Sequence, residues 1–315
     1  MATVYVDPAG DNSRSYAQAQ VITTPWKTLG KCQTSAVTGD TIIMLPGTHT
    51  DPGNNVGYTL TKSFTIQGLN APTYPYGVAT WDTILDAANA QWGIGPQNSG
   101  DISLTLRNLE LRNYKCLDPG SDYAFGIGGG AGTSQATALD VQYCKFKTWG
   151  IGSTYVGGGV FAGALTNDTL MTWTIKNNIF DDIYDSNVGG ISYIFGIAGG
   201  SVANVFAVTD NIFYLTRTVA AEMLESLWAD ANSGASVLTW KNNIVRSAAS
   251  LPFYKTGGAY AAIPNQTVNN NLHYQISGVP SGTGNLTSDP LFIDAASGNF
   301  NLQPGSPSIG TGTTS

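Results

Sequence analysis

Side chains able to do chemistry are scarce in this sequence, which holds two histidines and three cysteines among 315 residues. Abstraction of a proton next to a carboxylate needs a cation to neutralise charge and a Lys, Arg or Tyr to take the proton. One set of residues offers those types at a slowly shrinking spacing: Lys147, Asp181, Tyr214, Arg246 and Tyr274 follow one another at intervals of 34, 33, 32 and 28 residues. If each interval is one coil of a stacked structure, the five form a column with neighbours about 5 Å apart. Aromatic faces alternating with charges read as a shallow glycan-binding strip. The structural alternative is a Lys147–Asp181 ion pair beside an Arg246 sandwiched between Tyr214 and Tyr274. No residue is assigned a catalytic role.

The remaining groupings are weaker. Asp181, Asp182 and Asp185 could offer carboxylate oxygens to Ca²⁺, but their spacing matches no EF-hand loop and they read as a solvated turn. No metal or cofactor is expected. Glu222, Glu225 and Asp230 read as a solvated edge rather than as paired catalytic carboxylates. His273 falls where Phe180, Phe213 and Val245 fall in other repeats, and His49 lies in Pro46-Gly47-Thr48-His49. Both histidines read as packing residues, which removes the commonest general base. Cys32, Cys116 and Cys144 are odd in number and lack metal-ligand spacing, so at least one thiol is free. The tracts 126–132, 157–159 and 196–200 are Gly-rich but no Gly-Lys-Ser/Thr follows, so they read as close coil contacts rather than phosphate loops.

The elements that position these residues are set by an internal repeat. A turn between two apolar stretches recurs in Leu106-Arg107-Asn108-Leu109, Tyr143-Cys144-Lys145, Asn177-Asn178-Ile179, Asp210-Asn211-Ile212, Asn242-Asn243-Ile244 and Asn270-Asn271-Leu272. Marked at 108, 144, 178, 211, 243 and 271, the copies are 36, 34, 33, 32 and 28 residues apart. A second mark precedes each of the later copies at Phe125, Val160, Phe195, Leu227 and Phe253. Strands of successive coils pair at about 4.8 Å, so equivalent residues stack. Asn108, Asn178, Asn211, Asn243 and Asn271 are therefore expected to form a structural amide ladder along one corner. Residues 220–228 carry helical spacing, yet their place in the repeat matches 191–198 and reads as strand.

At the start, Thr24-Pro25 reads as an N-cap with Pro at N1, opening a short helix through Lys27 to Ala36 that plugs the first coil. Three regions follow: a cap with the first strand (1–50), the coils (51–281), and a closing coil with a tail (282–315). With 38 Gly, 42% hydrophobic and only 11% charged residues, the surface is turn-rich and decorated by neutral polar groups. The net charge of −7, with no Lys or Arg cluster, argues against nucleic acid, and the lack of a long apolar run argues against a membrane. Met1-Ala2-Thr3-Val4-Tyr5-Val6 has neither the basic nor the apolar region of a signal peptide.

The opening Val4-Tyr5-Val6-Asp7-Pro8, the Thr24-Pro25-Trp26-Lys27-Thr28-Leu29 segment, the strand from Gly39-Asp40-Thr41-Ile42 to Pro46-Gly47-Thr48, and the closing Asp289-Pro290-Leu291-Phe292 with Asn299-Phe300 and Pro304-Gly305-Ser306-Pro307 resemble the pectate-lyase-like β-helix superfamily. The resemblance implies an all-β, right-handed parallel β-helix solenoid with a short N-terminal capping helix. It spans functions from polysaccharide lyases and hydrolases to adhesins and bacteriophage tailspikes. The Gly-His-Gly and Arg-x-Lys signatures of its polygalacturonase-type hydrolases are absent from the sequence. The expectation is a non-enzymatic structural, decoration or adhesion protein of a bacteriophage virion that contacts other virion proteins or itself, with a cell-surface polysaccharide as a further partner. The alternative is a secreted or tailspike-borne lyase acting on an anionic polysaccharide.

Overall fold

A computed structural model describes residues 1–50, 59–73, 78–88, 94–96, 102–114, 136–149, 158–162, 172–183, 192–198, 204–216, 221–227, 236–254, 263 and 265–313. Alternation of apolar and polar residues makes short strands that pair with the preceding and following coils, not with their chain neighbours. The first sheet stacks nine parallel strands, from Thr3–Val6 and Thr41–Met44 through to Val237–Lys241 and Asn265–Asn269. The second stacks eight, from Gly47–Thr50 and Thr83–Asp86 to Ile244–Pro252 and Leu272–Ser277. A third contains Gly158–Ala162, Ser192–Ala198 and Ala221–Leu227. This is the expected right-handed parallel β-helix.

Each sheet sends one column of side chains inward. In the first sheet Val4, Ile42, Ile66, Leu106, Val141, Ile175, Val208, Trp240 and Val268 stack in register, all buried. In the second, His49, Leu85, Leu111, Phe146, Phe180, Phe213, Val245 and His273 do the same. Phe146, Phe180 and Phe213 form a stacked file, with centroids 4.9 and 4.4 Å apart. Phe195 of the third sheet meets Phe180, Phe213 and Trp240 edge-on, filling the interior between sheets.

The corner between the first two sheets is made by two residues per coil. The first of them, at Asn108, Tyr143, Asn177, Asp210, Asn242 and Asn270, has φ between 55° and 58°. That left-handed conformation favours Asn and Asp. The second carries the amide ladder: each of Asn178, Asn211 and Asn243 accepts on Oδ1 from the backbone N–H one coil back, at 2.9, 2.9 and 3.0 Å. Each Nδ2 donates to a carbonyl of the first sheet, as Asn211 does to Ile175 at 2.9 Å.

Asn108 is not in this ladder, contrary to expectation. It takes the left-handed position, and the buried Leu109 takes the ladder slot. The true interval to the next copy, at Cys144, is thus 35 and not 36 residues. Asn is suited to both corner positions, so its identity alone could not say which one it held. At the other end the ladder gains Asn285, whose Oδ1 accepts from the Asn271 N–H at 3.0 Å.

Two further expectations change. Thr24-Pro25 does not start a helix, because Trp26 is held as an isolated bridge partner of Val6 and its N–H donates to the Tyr5 carbonyl. The helix begins one turn later, at Leu29–Ser35, with Thr28 Oγ1 accepting from the Lys31 N–H. Its last carbonyls receive the Lys62 ammonium, at 3.0 Å from Gln33 O and 2.7 Å from Ala36 O. A one-turn helix at Tyr16–Ala19, closed by a Ser15/Gln18 capping box, escaped the sequence reading. Within the third sheet, the partner of Phe195 is Leu224 and not Leu227, which pairs with Ala198. The strand at 221–227 is as expected.

Asp40 ties cap to coil. It accepts from the Ala2 N–H, the Val37 N–H and the Tyr16 hydroxyl at 2.7, 2.8 and 2.6 Å. Burial pushes its carboxyl up, but these bonds together hold it below the usual carboxylate value, and the bond to Asp40, with burial, pushes the Tyr16 phenol up to about 12. Cys32 and Cys144 are free and buried, and burial raises the Cys144 thiol to about 12, so neither is a nucleophile. Cys116 lies outside the described residues, as does the tract 126–132.

Candidate functional site

The column expected from the repeat exists. On the outer face of the second sheet Thr50, Asp86, Arg112, Lys147, Asp181, Tyr214, Arg246 and Tyr274 follow one another in register. Arg246 lies 5.4 Å from the Tyr214 ring centroid and 5.8 Å from that of Tyr274, which is the expected cation–π sandwich.

The acidic member has a different partner from the one expected. Asp181 pairs with Lys145 at 3.0 Å, and both are nearly enclosed, while Lys147 is exposed and makes no ion pair among the described residues. Lys145 sits two residues earlier on the same face, next to Gly298 of the C-terminal segment, so the pair is sheltered where Lys147 would be solvated. Asp181 therefore lies buried in the strand Ile179–Ile183 with its carboxylate engaged by Lys145, not in the solvated turn expected of Asp181, Asp182 and Asp185. The side chains of Asp182 and Asp185 lie outside the described residues, as do those of Glu222, Glu225 and Asp230. No group of metal-ligating residues occurs among the described ones.

The C-terminal segment changes what the column can do. Phe292–Asp294 and Asn299–Leu302 form an antiparallel hairpin around Gly298, whose φ is 80°. The hairpin folds back onto the outer face of the second sheet, where Phe292 and Phe300 lie 6.3 and 5.5 Å from the Tyr214 ring. Asp289 approaches Arg246 at 3.8 Å, and Thr313 returns to bond Asn242 and Asn270. The distal half of the strip is therefore partly covered by the chain itself. Phe300→Ala is expected to lower stability by about 2–4 kcal/mol and to hasten proteolytic cleavage between 288 and 303. Unfolding midpoints with timed digestion check it.

The proximal half is charged, and among the described residues no segment folds over it. Arg112 Nε lies 2.8 Å from Asp86 and its Nη1 3.5 Å from Glu110; Asp86 also accepts from Asn113 Nδ2 and the Ala88 N–H, both at 2.9 Å. Burial pushes Asp86 up, but the bonds from Asn113, Ala88 and Arg112 outweigh it and keep the carboxyl low. Lys147 is the next rung, adjacent to Arg112. Behind it Thr148 has φ 52°, a strained conformation for a β-branched residue, beside Asn113 at 59°. Arg112 was missed in the sequence because the same one-residue offset at Asn108 aligned Leu111 with this column, Asp86 because it precedes the first marked copy of the repeat, and Lys145 because it stands two residues before the column slot of its coil. The alternation Leu109-Glu110-Leu111-Arg112, which puts both leucines inward, was the available signal.

Both histidines end the inward file of the second sheet. His273 is 1% exposed and its Nε2 accepts from Trp240 Nε1–H at 3.0 Å; burial lowers its pKa to about 4. His49 Nε2 bonds the Leu45 carbonyl at 2.8 Å, and burial holds it too below the ordinary value. Neither faces the column.

No protein-family model matches the sequence, and no curated protein matches it. Solved structures similar in fold include a crystal structure of pectate lyase Pel9A, at 14% identity, covering 100% of this chain and 92% of that one with a TM-score of 0.38. A rhamnogalacturonan lyase is similar at 16% identity, over 100% and 97% of the two chains, with a TM-score of 0.45.

Proposed function

We propose that this protein is a non-enzymatic structural or adhesion component, of the kind carried on a bacteriophage virion, and that it holds an anionic cell-surface polysaccharide against the open half of the second sheet. The observation that carries the reading is the division of the outer column. Its distal half is stacked and strapped by the chain's own hairpin, whereas Arg112 and Lys147 stand on adjacent rungs of the half that no described segment covers. Lys147, exposed and without an ion pair among the described residues, supplies the cation for a carboxylate of an extended polymer, with Arg112, paired to Asp86 and Glu110, one rung of about 4.8 Å away. The engagement of both imidazoles in the core also supports binding over proton transfer at this face. The weakly charged, polar surface suits packing against other virion proteins or further copies.

With uronic-acid polymers the expected result is binding that weakens as salt rises, with no growth of the ultraviolet absorbance of an unsaturated product. Lys147→Glu is expected to weaken binding by about tenfold, roughly 1.4 kcal/mol, as a neutralised cation becomes a repelling anion. Turnover that disappears in Arg246→Ala would overturn this reading in favour of a lyase.

A further inference from the structure

The ion pair Lys145–Asp181 differs from the others in its enclosure. Its side chains are 8% and 10% exposed, whereas every other ion pair among the described residues keeps at least one side chain 30% exposed or more. The cover is the chain's own. Gly298, at φ 80°, packs so closely that a Cβ there would stand 3.5 Å from Lys145 Nζ. Ile179 is the register partner of Lys145 and Tyr214 that of Asp181, and Phe292 and Phe300 lie against Tyr214. Taking two charges out of water costs about as much as their attraction returns, so a salt bridge gains little stability from being covered.

Exclusion of water opens a different chemistry to the pair. Lys145 Nζ lies 3.0 Å from Asp181 Oδ2. A proton crossing that bond removes both charges from a site that disfavours them and leaves an amine beside a carboxylic acid. A lysine can act as a nucleophile in this way, whereas the guanidinium of Arg107, Arg112 or Arg246 stays protonated. Amine and acid held in contact react as one molecule, without the entropy cost of an encounter. Glu110 is the register partner of Lys145 on the preceding coil, and its side chain is 13% exposed.

We infer that Lys145 and Asp181 join in an intramolecular amide bond. The Lys145 amine attacks Asp181 Cγ and forms the Nζ–Cγ bond. Glu110 takes a proton from the nitrogen and returns it to the departing hydroxyl, the Cγ–O bond breaks, and one water leaves. No oxidant or second reagent is consumed. The product ties together two neighbouring coils through residues 36 apart in sequence, beneath the C-terminal hairpin. It carries no charge, so the cost of covering the pair is gone. The inference is independent of any glycan on the outer column.

The test is the intact mass of the purified full chain, followed by peptide mapping. The expected chain is lighter than its sequence by one water, and digestion yields one branched peptide that joins the segments of Lys145 and Asp181. Lys145→Arg keeps the charge pair but has no attacking amine, so it is expected to lose no water. Glu110→Gln is expected to slow bond formation by about a hundredfold, read from spectra taken at intervals after cell-free synthesis. A wild-type chain that keeps its full mass after prolonged incubation in the folded state overturns the inference. A lost water that maps elsewhere, or that persists in Lys145→Arg, overturns it too. An unchanged rate in Glu110→Gln overturns the role given to that carboxylate.

Discussion

Replacing Asn211 with alanine is expected to cost about 3–5 kcal/mol. Its side chain serves two coils at once. Oδ1 accepts from the Asn178 N–H and Nδ2 at 2.9 and 3.0 Å, and its Nδ2 donates to Ile175 O and Asn243 Oδ1 at 2.9 and 3.1 Å. Truncation leaves those partners buried, and each lost partner costs about 1–3 kcal/mol, partly offset by relaxation. Leucine should not rescue it, although Leu109 occupies the same slot, because around Leu109 no amide waits to be satisfied. Asn108→Gly provides the contrast: the left-handed corner suits glycine, so the change should stay under about 1 kcal/mol. Denaturant midpoints of the three variants decide it, and equal losses at 108 and 211 would refute the assignment of roles.

Acid should unfold the protein well before its carboxylates protonate. In an unfolded chain both imidazoles take up protons near pH 6.5, whereas folded His273 stays neutral down to about 4. Between those values the unfolded state binds more protons, so stability must fall as pH falls through this window. His273 alone accounts for about 3 kcal/mol of loss by pH 4, with His49 adding in the same direction. Urea unfolding between pH 7 and 4 measures the slope. In His273→Phe the slope should flatten, even though the Trp240 indole N–H loses its acceptor and lowers stability at every pH by about 1–3 kcal/mol. An unchanged slope in that variant would show that the buried histidines are not the acid-sensitive element.

These two expectations draw on different levels of information. The coil repeat, the ladder from Asn178 to Asn271, the inward position of His273 and the Arg246 sandwich could all be read in the sequence. In a stacked solenoid each coil contacts mainly its neighbours, and residues one period apart are forced into register. Period-two alternation then assigns each residue to a face. The weakness of that logic is also periodic: an offset of one residue turns a side chain over. Asn108 stood one position from its assumed slot, and Arg112 was lost from the outer column for that reason alone.

What tertiary structure alone decided lies outside the repeat. Thr28 rather than Thr24 caps the helix because Trp26 is held beside Val6, a pairing across the cap. Lys145 rather than Lys147 meets Asp181 because Gly298 shelters one and not the other. The hairpin that brings Phe292 and Phe300 onto Tyr214 departs from the coil period altogether, so no spacing in the sequence reports where it docks. The amino-acid sequence determined the column by its period. Which part of that column the hairpin covers was decided by a long-range contact of the chain with itself, through burial of two phenylalanines.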